Sequence, residues 1–238
     1  MEPTTEPTRR ADPATPAGLA GPGPVRDPEL PGLLLATERD ALIPLLRARP
    51  DDDFELRTCC PGWTVRHVVA HCAAALSRVV ESRYEKDVFS PESNDRDIAA
   101  LADRSNRDLV DELERLLTAA GPVIAAAGHG RLDGVGFGEW VHAGDLREAL
   151  GEPGAYEGDA QGPALALLAA LSRAGRAQPL LARLDGHGSP LVLGADSPEP
   201  AVYTGSAATL IRLVTGRPLT GTRYRLAGAR EADLAFFV

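Results

Sequence analysis

The stretch Gly136-Phe-Gly-Glu139-Trp-Val-His142-Ala-Gly-Asp145-Leu-Arg-Glu-Ala-Leu-Gly151 decides how this chain is read. As a helix it puts Glu139, His142 and Leu146 on one side, because residues three and four apart are neighbours on a helical surface. A carboxylate and an imidazole projecting inward from one helix are how bundle proteins build metal or acid–base sites. The same spacing also suits an amphipathic helix whose Glu and His sit at the rim, hydrogen-bonded and inert. The rest of the chain has to choose between the two.

The second informative stretch is Cys60-Pro-Gly-Trp63-Thr-Val-Arg-His67-Val-Val-Ala-His71-Cys72. Pro61-Gly62 signals a turn. Thr64 reads as a helix N-cap, its hydroxyl accepting a backbone N–H of the first turn. Trp63 and Val68 are spaced for a hydrophobic staple across that cap. Val68, His71, Cys72, Ala75, Leu76 and Val79 then form one stripe, so His71 points into the core among small residues. A buried histidine satisfied by a carbonyl fits that position too. His67 falls where a capping-box acid is expected and reads as a surface residue. His67 and His71 form an i,i+4 pair that could chelate a metal, with Cys72 adjacent and Cys59 and Cys60 nearby. No Cys-x-x-Cys or His-Glu-x-x-His pattern supports it, however, and Cys59 and Cys60 are too close in sequence for the usual ligand spacing.

Outward from these stretches, helical periodicity runs from Leu30 to about Arg49, with Pro31 in the first turn, Pro44 as a kink and Pro50 as the stop. A long helix is expected from Asn94 to about Ala127, kinked or ended at Pro122, and the quoted helix from about Phe137 to Leu150, closed by Gly151. Four helices with modest connections predict a four-helix bundle. Beyond a Gly/Pro-rich connection the pattern changes. A helix is expected over 162–175, with its continuation past Pro179 through 180–183 left open. Strands are expected around 190–194 and 201–204, then a helix capped by Ser206, a strand at 224–227 and an apolar end. The predicted organisation is a disordered tail over 1–28, a helical domain carrying the candidate metal or acid–base site over 29–151, a linker over 152–160 and a small α/β domain over 161–238.

Composition narrows the function classes. A net charge of −9 and a single lysine, Lys86, argue against nucleic acid as a main partner. The three cysteines, an odd number, argue against a disulfide framework. No window approaches the roughly 18 apolar residues of a membrane span. The expectation is a soluble cytoplasmic protein.

Three segments together carry a resemblance: Trp63-Thr-Val-Arg-(x)-Val-Val-Ala-His71, Glu139-Trp-Val-His142-Ala-Gly-Asp145-Leu-Arg, and Thr209-Leu-Ile-Arg-Leu-Val-Thr-Gly-Arg217. In order and spacing, over residues 30–238, they resemble the mycothiol-dependent maleylpyruvate isomerase family. The resemblance implies a DinB-like four-helix bundle followed by a small α/β domain. It also implies a divalent metal, usually zinc, held by a His from the second helix and a Glu and a His from the fourth, and mycothiol as thiol cofactor. Residue by residue the histidines fall on His71 and His142. The family glutamate, four residues before the second His, falls on Gly138, while Glu139 stands three before. Asp145 is a further candidate ligand, or the carboxylate that orients a His ring. Arg217 becomes the candidate catalytic group, suited to a substrate carboxylate. Two functions follow: a metal- and mycothiol-dependent transferase or isomerase acting on a small electrophile, with metal on His71, Glu139 and His142, or a metal-free small-molecule binding or regulatory protein on the same bundle.

Overall fold

Local signals set most helix boundaries. In the computed structural model, which describes residues 26–84, 88, 90–175 and 177–237, α1 spans Leu30–Arg47, α2 Val65–Val80, α3 Pro91–Ala100, α4 Asn106–Ala126 and α5 Asp133–Ala149. The tail expected over 1–28 falls outside the described residues up to position 25. Arg26 is held on α5, its guanidinium donating to both carboxylate oxygens of Asp133 at 2.8 and 2.6 Å. At the other end of α5, Gly151 takes φ +70°. Its N–H donates to the Glu148 carbonyl and that of Glu152 to the Arg147 carbonyl, so the last orphan carbonyls of the helix are satisfied.

Helices α1, α2, α4 and α5 form the bundle, with α1 and α2 each packed on α4 and α5. Pro44 and Pro122 both lie inside helices that continue past them. The single long helix expected over 94–127 is two helices. Ser105 caps α4 by accepting the Asp108 N–H at 3.1 Å, a Ser-x-x-Asp signal that apolar spacing overrode. The end of α3 is satisfied from across the bundle, where Arg66 of α2 donates to the carbonyls of Leu101, Ala102 and Arg104 at 3.3, 2.8 and 2.5 Å. At the start of α2, His67 does the work of the capping-box acid, its Nδ1 accepting the Thr64 N–H at 3.2 Å. That engagement, rather than surface solvation or chelation with His71, is its role.

The remaining chain forms α6 (Gln161–Ala174), a four-stranded sheet, α7 (Ala207–Val214) and α8 (Glu231–Leu234). The sheet order is β2-β1-β3-β4, with β1 Leu180–Leu184, β2 Leu191–Leu193, β3 Ala201–Gly205 and β4 Tyr224–Ala227. Residues 180–183, read as continuing the preceding helix, are instead an interior strand, parallel to β3 and antiparallel to β2. The reason is period two: Leu180, Ala182 and Leu184 are buried and alternate with more exposed neighbours. Ser206 caps α7 by accepting the Thr209 N–H at 3.1 Å.

The two parts share an apolar core. Leu34 of α1 and Phe137, Trp140 and Val141 of α5 belong to the same buried cluster as Leu168, Leu180, Tyr203 and Leu210. The connection expected as a linker over 152–160 is part of that contact, because Tyr156 is 1% exposed. Its ring lies on α5 where Gly144 removes the side chain that would block it: a Cβ there would stand 2.4 Å from the ring. Gly144→Ala is therefore expected to cost about 1–3 kcal/mol in urea unfolding. Gly162→Ala, which meets nothing within 4 Å, should stay within about 1 kcal/mol of wild type. Equal unfolding midpoints for the two variants would remove this packing from the account.

Candidate functional site

Where α5, the loop before α2 and the segment after α7 meet, a cavity of about 820 Å³ opens. Its walls include His71, Glu139, His142 and Arg217, the four residues singled out in sequence, together with Cys59, Cys60, Trp63, Gly138, Arg131 and Phe237. The sequence thus points to one place.

The polar centre beneath this cavity is Asp145, which is fully buried. Burying a carboxylate costs several kcal/mol unless charge and hydrogen bonds compensate. Here the compensation comes from four segments of the chain. Arg217 holds the carboxylate from two points, Nε to Oδ1 at 3.1 Å and Nη2 to Oδ2 at 2.8 Å. The Tyr156 hydroxyl donates to Oδ1 at 2.5 Å, and His142 Nδ1 lies 2.9 Å from Oδ2. The thiols of Cys59 and Cys60 point at Oδ1 and Oδ2 at 3.1 and 3.4 Å. Burial alone would raise the Asp145 pKa; the bonds from His142 and Arg217 outweigh it and hold the carboxyl well below the usual range. Burial and the neighbouring Asp145 charge push the Tyr156 phenol up, so it stays a donor. Asp145 therefore orients the His142 ring, one of the two roles open to it in sequence.

With Nδ1 on Asp145, the Nε2 of His142 has no hydrogen-bond partner among the described residues. The His71 ring packs edge-on against the His142 ring at 5.1 Å between centroids and against Trp63 at 4.9 Å. Its Nδ1 is buried with no hydrogen-bond partner. Burial, with His142 beside it, pushes the His71 pKa down to about 3, so the ring is neutral at neutral pH. A neutral imidazole with a buried unpartnered nitrogen is what a cation can use. On that observation the two histidines fit a metal.

Glu139 fits less well. Desolvation pushes its pKa up to about 8 in spite of the Cys72 thiol beside it. Among the described residues, the donor atoms that gather within 4.8 Å of one another are those of Cys59, Cys60 and Asp145, while the His71, Glu139 and His142 donors do not. Gly138, the position matched to the family glutamate, faces the ring of Phe237, with a Cβ there placed 3.6 Å away in ordinary contact. Phe237 reaches this spot because its backbone N–H and that of Phe236 both donate to the Val214 carbonyl at the end of α7.

Sequence reasoning missed three participants. Arg212 donates to Glu148 of α5 at 2.9 Å and lies over the Tyr156 ring at 4.6 Å. Tyr156 sat in an apparent linker. Arg131 lines the cavity 5.1 Å from the centroid of the Tyr84 ring and has no carboxylate partner among the described residues. For none of these does local spacing carry a signal.

Comparison with known proteins places this geometry. Residues 35–152 match the Mycothiol maleylpyruvate isomerase N-terminal domain. Two solved structures are similar over 87% of this chain and 96% of theirs: the mycothiol-dependent maleylpyruvate isomerase, at 17% identity and a TM-score of 0.54, and a mutant of it, at 16% and 0.55. At that identity they show the fold. No curated protein matches the sequence.

The pH dependence of the metal-free protein has a defined sign. The pKa of Glu139 is raised on folding, so the stability tied to its neutral form is complete below about pH 4.3 and is lost as pH rises through about 8. Glu139→Gln carries no such loss. In urea unfolding of chelator-treated protein the variant should exceed wild type by a margin that grows from about pH 5 to about pH 8.5. A margin that stays flat across that range would contradict a buried, neutral Glu139.

Proposed function

Since the chain belongs, through its helical domain, to the mycothiol maleylpyruvate isomerase family, we propose that it is a metal-dependent, mycothiol-dependent transferase or isomerase acting on a small electrophile. The observation that carries this is the buried, unpartnered Nδ1 of His71, a residue that lines the cavity, beside a His142 ring held by Asp145. His71 and His142 would hold the ion, zinc by preference for nitrogen donors, with Glu139 as third ligand after a change of side-chain position. When bound, such an ion keeps a thiol deprotonated near neutral pH and so makes it a nucleophile.

The residues of the chain do the rest. Asp145 fixes the His142 tautomer and ring plane, because its carboxylate accepts a hydrogen bond from Nδ1–H. Trp63 and Phe237 form apolar wall that keeps water from the reacting atoms. Arg217 spends three N–H groups on Asp145 and the Thr215 carbonyl, so two of the guanidinium's five donors remain for a substrate carboxylate. Its charge is largely balanced by Asp145, and that makes Arg217 a group that orients substrate more than one that attracts it.

A second reading, a metal-free binding or regulatory protein, is favoured by one observation: Glu139 sits as a neutral acid beside Cys72 rather than with the histidines. Zinc content after equilibration and mycothiol-induced thermal shift separate the two. On the enzyme reading, His71→Ala and His142→Ala each lose bound zinc relative to wild type, and mycothiol raises the Tm of zinc-loaded wild type alone. Zinc content unchanged in both variants would leave the metal-free reading. Zinc binding without a mycothiol shift would remove the thiol cofactor and keep the ion.

A further inference from the structure

One wall of the cavity has no part in the chemistry placed at the histidines. Pro91, Asn94 and Asp95 of α3, three and four residues apart on one helical face, form it together with Arg131 from the turn before α5. Its polar groups are uncommitted. The Oδ1 of Asn94 is buried without a hydrogen-bond partner. Asp95 has no ion pair among the described residues, and Arg131 rests on the Tyr84 ring without meeting a carboxylate. Two residues on, Asp133 has both oxygens taken by Arg26. An exposed aspartate or arginine is commonly unpaired, but a buried amide oxygen is not.

We propose that this wall is a subsite for a neutral polyhydroxylated group, such as a sugar ring, independent of any ion held by the histidines. Charge and hydrogen bonding decide against the alternatives. Arg131 alone would suit a carboxylate, but Asp95 on the same wall repels one. A purely apolar group would leave the Asn94 oxygen orphaned and would desolvate the neighbouring charges. A hydroxyl donates and accepts at once. Adjacent hydroxyls can therefore donate to the Asn94 oxygen and the Asp95 carboxylate while accepting from the Arg131 guanidinium. Trp63, in the same cavity, supplies a flat apolar surface for the C–H side of a ring. Volume permits it as well. About 820 Å³ lies in the upper part of the roughly 300–1,000 Å³ of pockets that enclose drug-sized ligands, so room remains beside a small electrophile at the histidines.

The test uses chelator-treated, full-length protein titrated with methyl α-glucoside and, separately, with glutarate, each followed by saturation-transfer NMR. The glucoside is expected to bind wild type, with its Kd raised about threefold or more in Asn94→Ala and in Arg131→Met through lost hydrogen bonds. Arg115→Met, which removes an exposed arginine of α4 paired with Glu112 outside the cavity, should bind the glucoside as wild type does. Asp95→Ala discriminates between ligand classes, because it is expected to weaken the glucoside and to strengthen glutarate. Removing metal beforehand separates the result from the histidine site, so binding of the glucoside supports this wall whatever zinc analysis gives. No glucoside signal in wild type, or equal affinity in all four variants, would overturn the proposal. So would glutarate binding wild type more tightly than the glucoside does and losing that affinity in Arg131→Met.

Discussion

A charged carboxylate with no exposure to water is the constraint on which this structure turns. Asp145 is tolerable inside the protein only because every lone pair is met by a donor, and the donors come from far apart in the chain. Removing one partner of such a buried pair strands the other, at a cost of about 3–5 kcal/mol. The loop before α2, helix α5, the connection to α6 and the segment after α7 are therefore fixed relative to one another by a single side chain.

That requirement shapes the rest. Gly144 is small so that Tyr156 can reach the carboxylate. Arg212 stacks on the outer face of Tyr156 and pairs with Glu148, closing the ring's pocket from the side of the small sheet domain. The apolar cluster that joins α1 and α5 to α6, β1, β3 and α7 supplies the hydrophobic contribution beneath this polar seam. The cavity is the space left over at the seam. Its walls come from both halves of the chain, so neither half builds the site alone.

Much of this was legible in sequence. Helical periodicity, Ser206 and Gly151 located most elements, and three short segments identified the family that the domain match then showed. His71, His142 and Arg217, grouped in sequence through the family resemblance, line one cavity. The failures have physical causes. The break between α3 and α4 depends on a guanidinium from α2, which no local window contains. Strand β1 was mistaken for helix because Leu180-Leu-Ala-Arg-Leu suits both periods and only its partners β2 and β3 decide. Tyr156 lies in a Gly/Pro-rich connection, and its burial follows from a cleft on α5 that exists only in three dimensions. His67 was set aside because an imidazole is an unusual substitute for the capping-box acid, although its Nδ1 accepts the same bond.

The site that results combines a neutral His71, a His142 ring held by Asp145, a fixed arginine and a thiol pair around one anchor. These all depend on Arg217 and Asp145 being energetically coupled across the two halves of the protein. A double-mutant cycle with Asp145→Asn and Arg217→Met, followed by urea unfolding near neutral pH, measures that coupling directly. The account predicts an interaction energy of at least about 1.5 kcal/mol, within the range for residues sharing a network. Additivity to within about 0.5 kcal/mol, as found for independent sites, would contradict it.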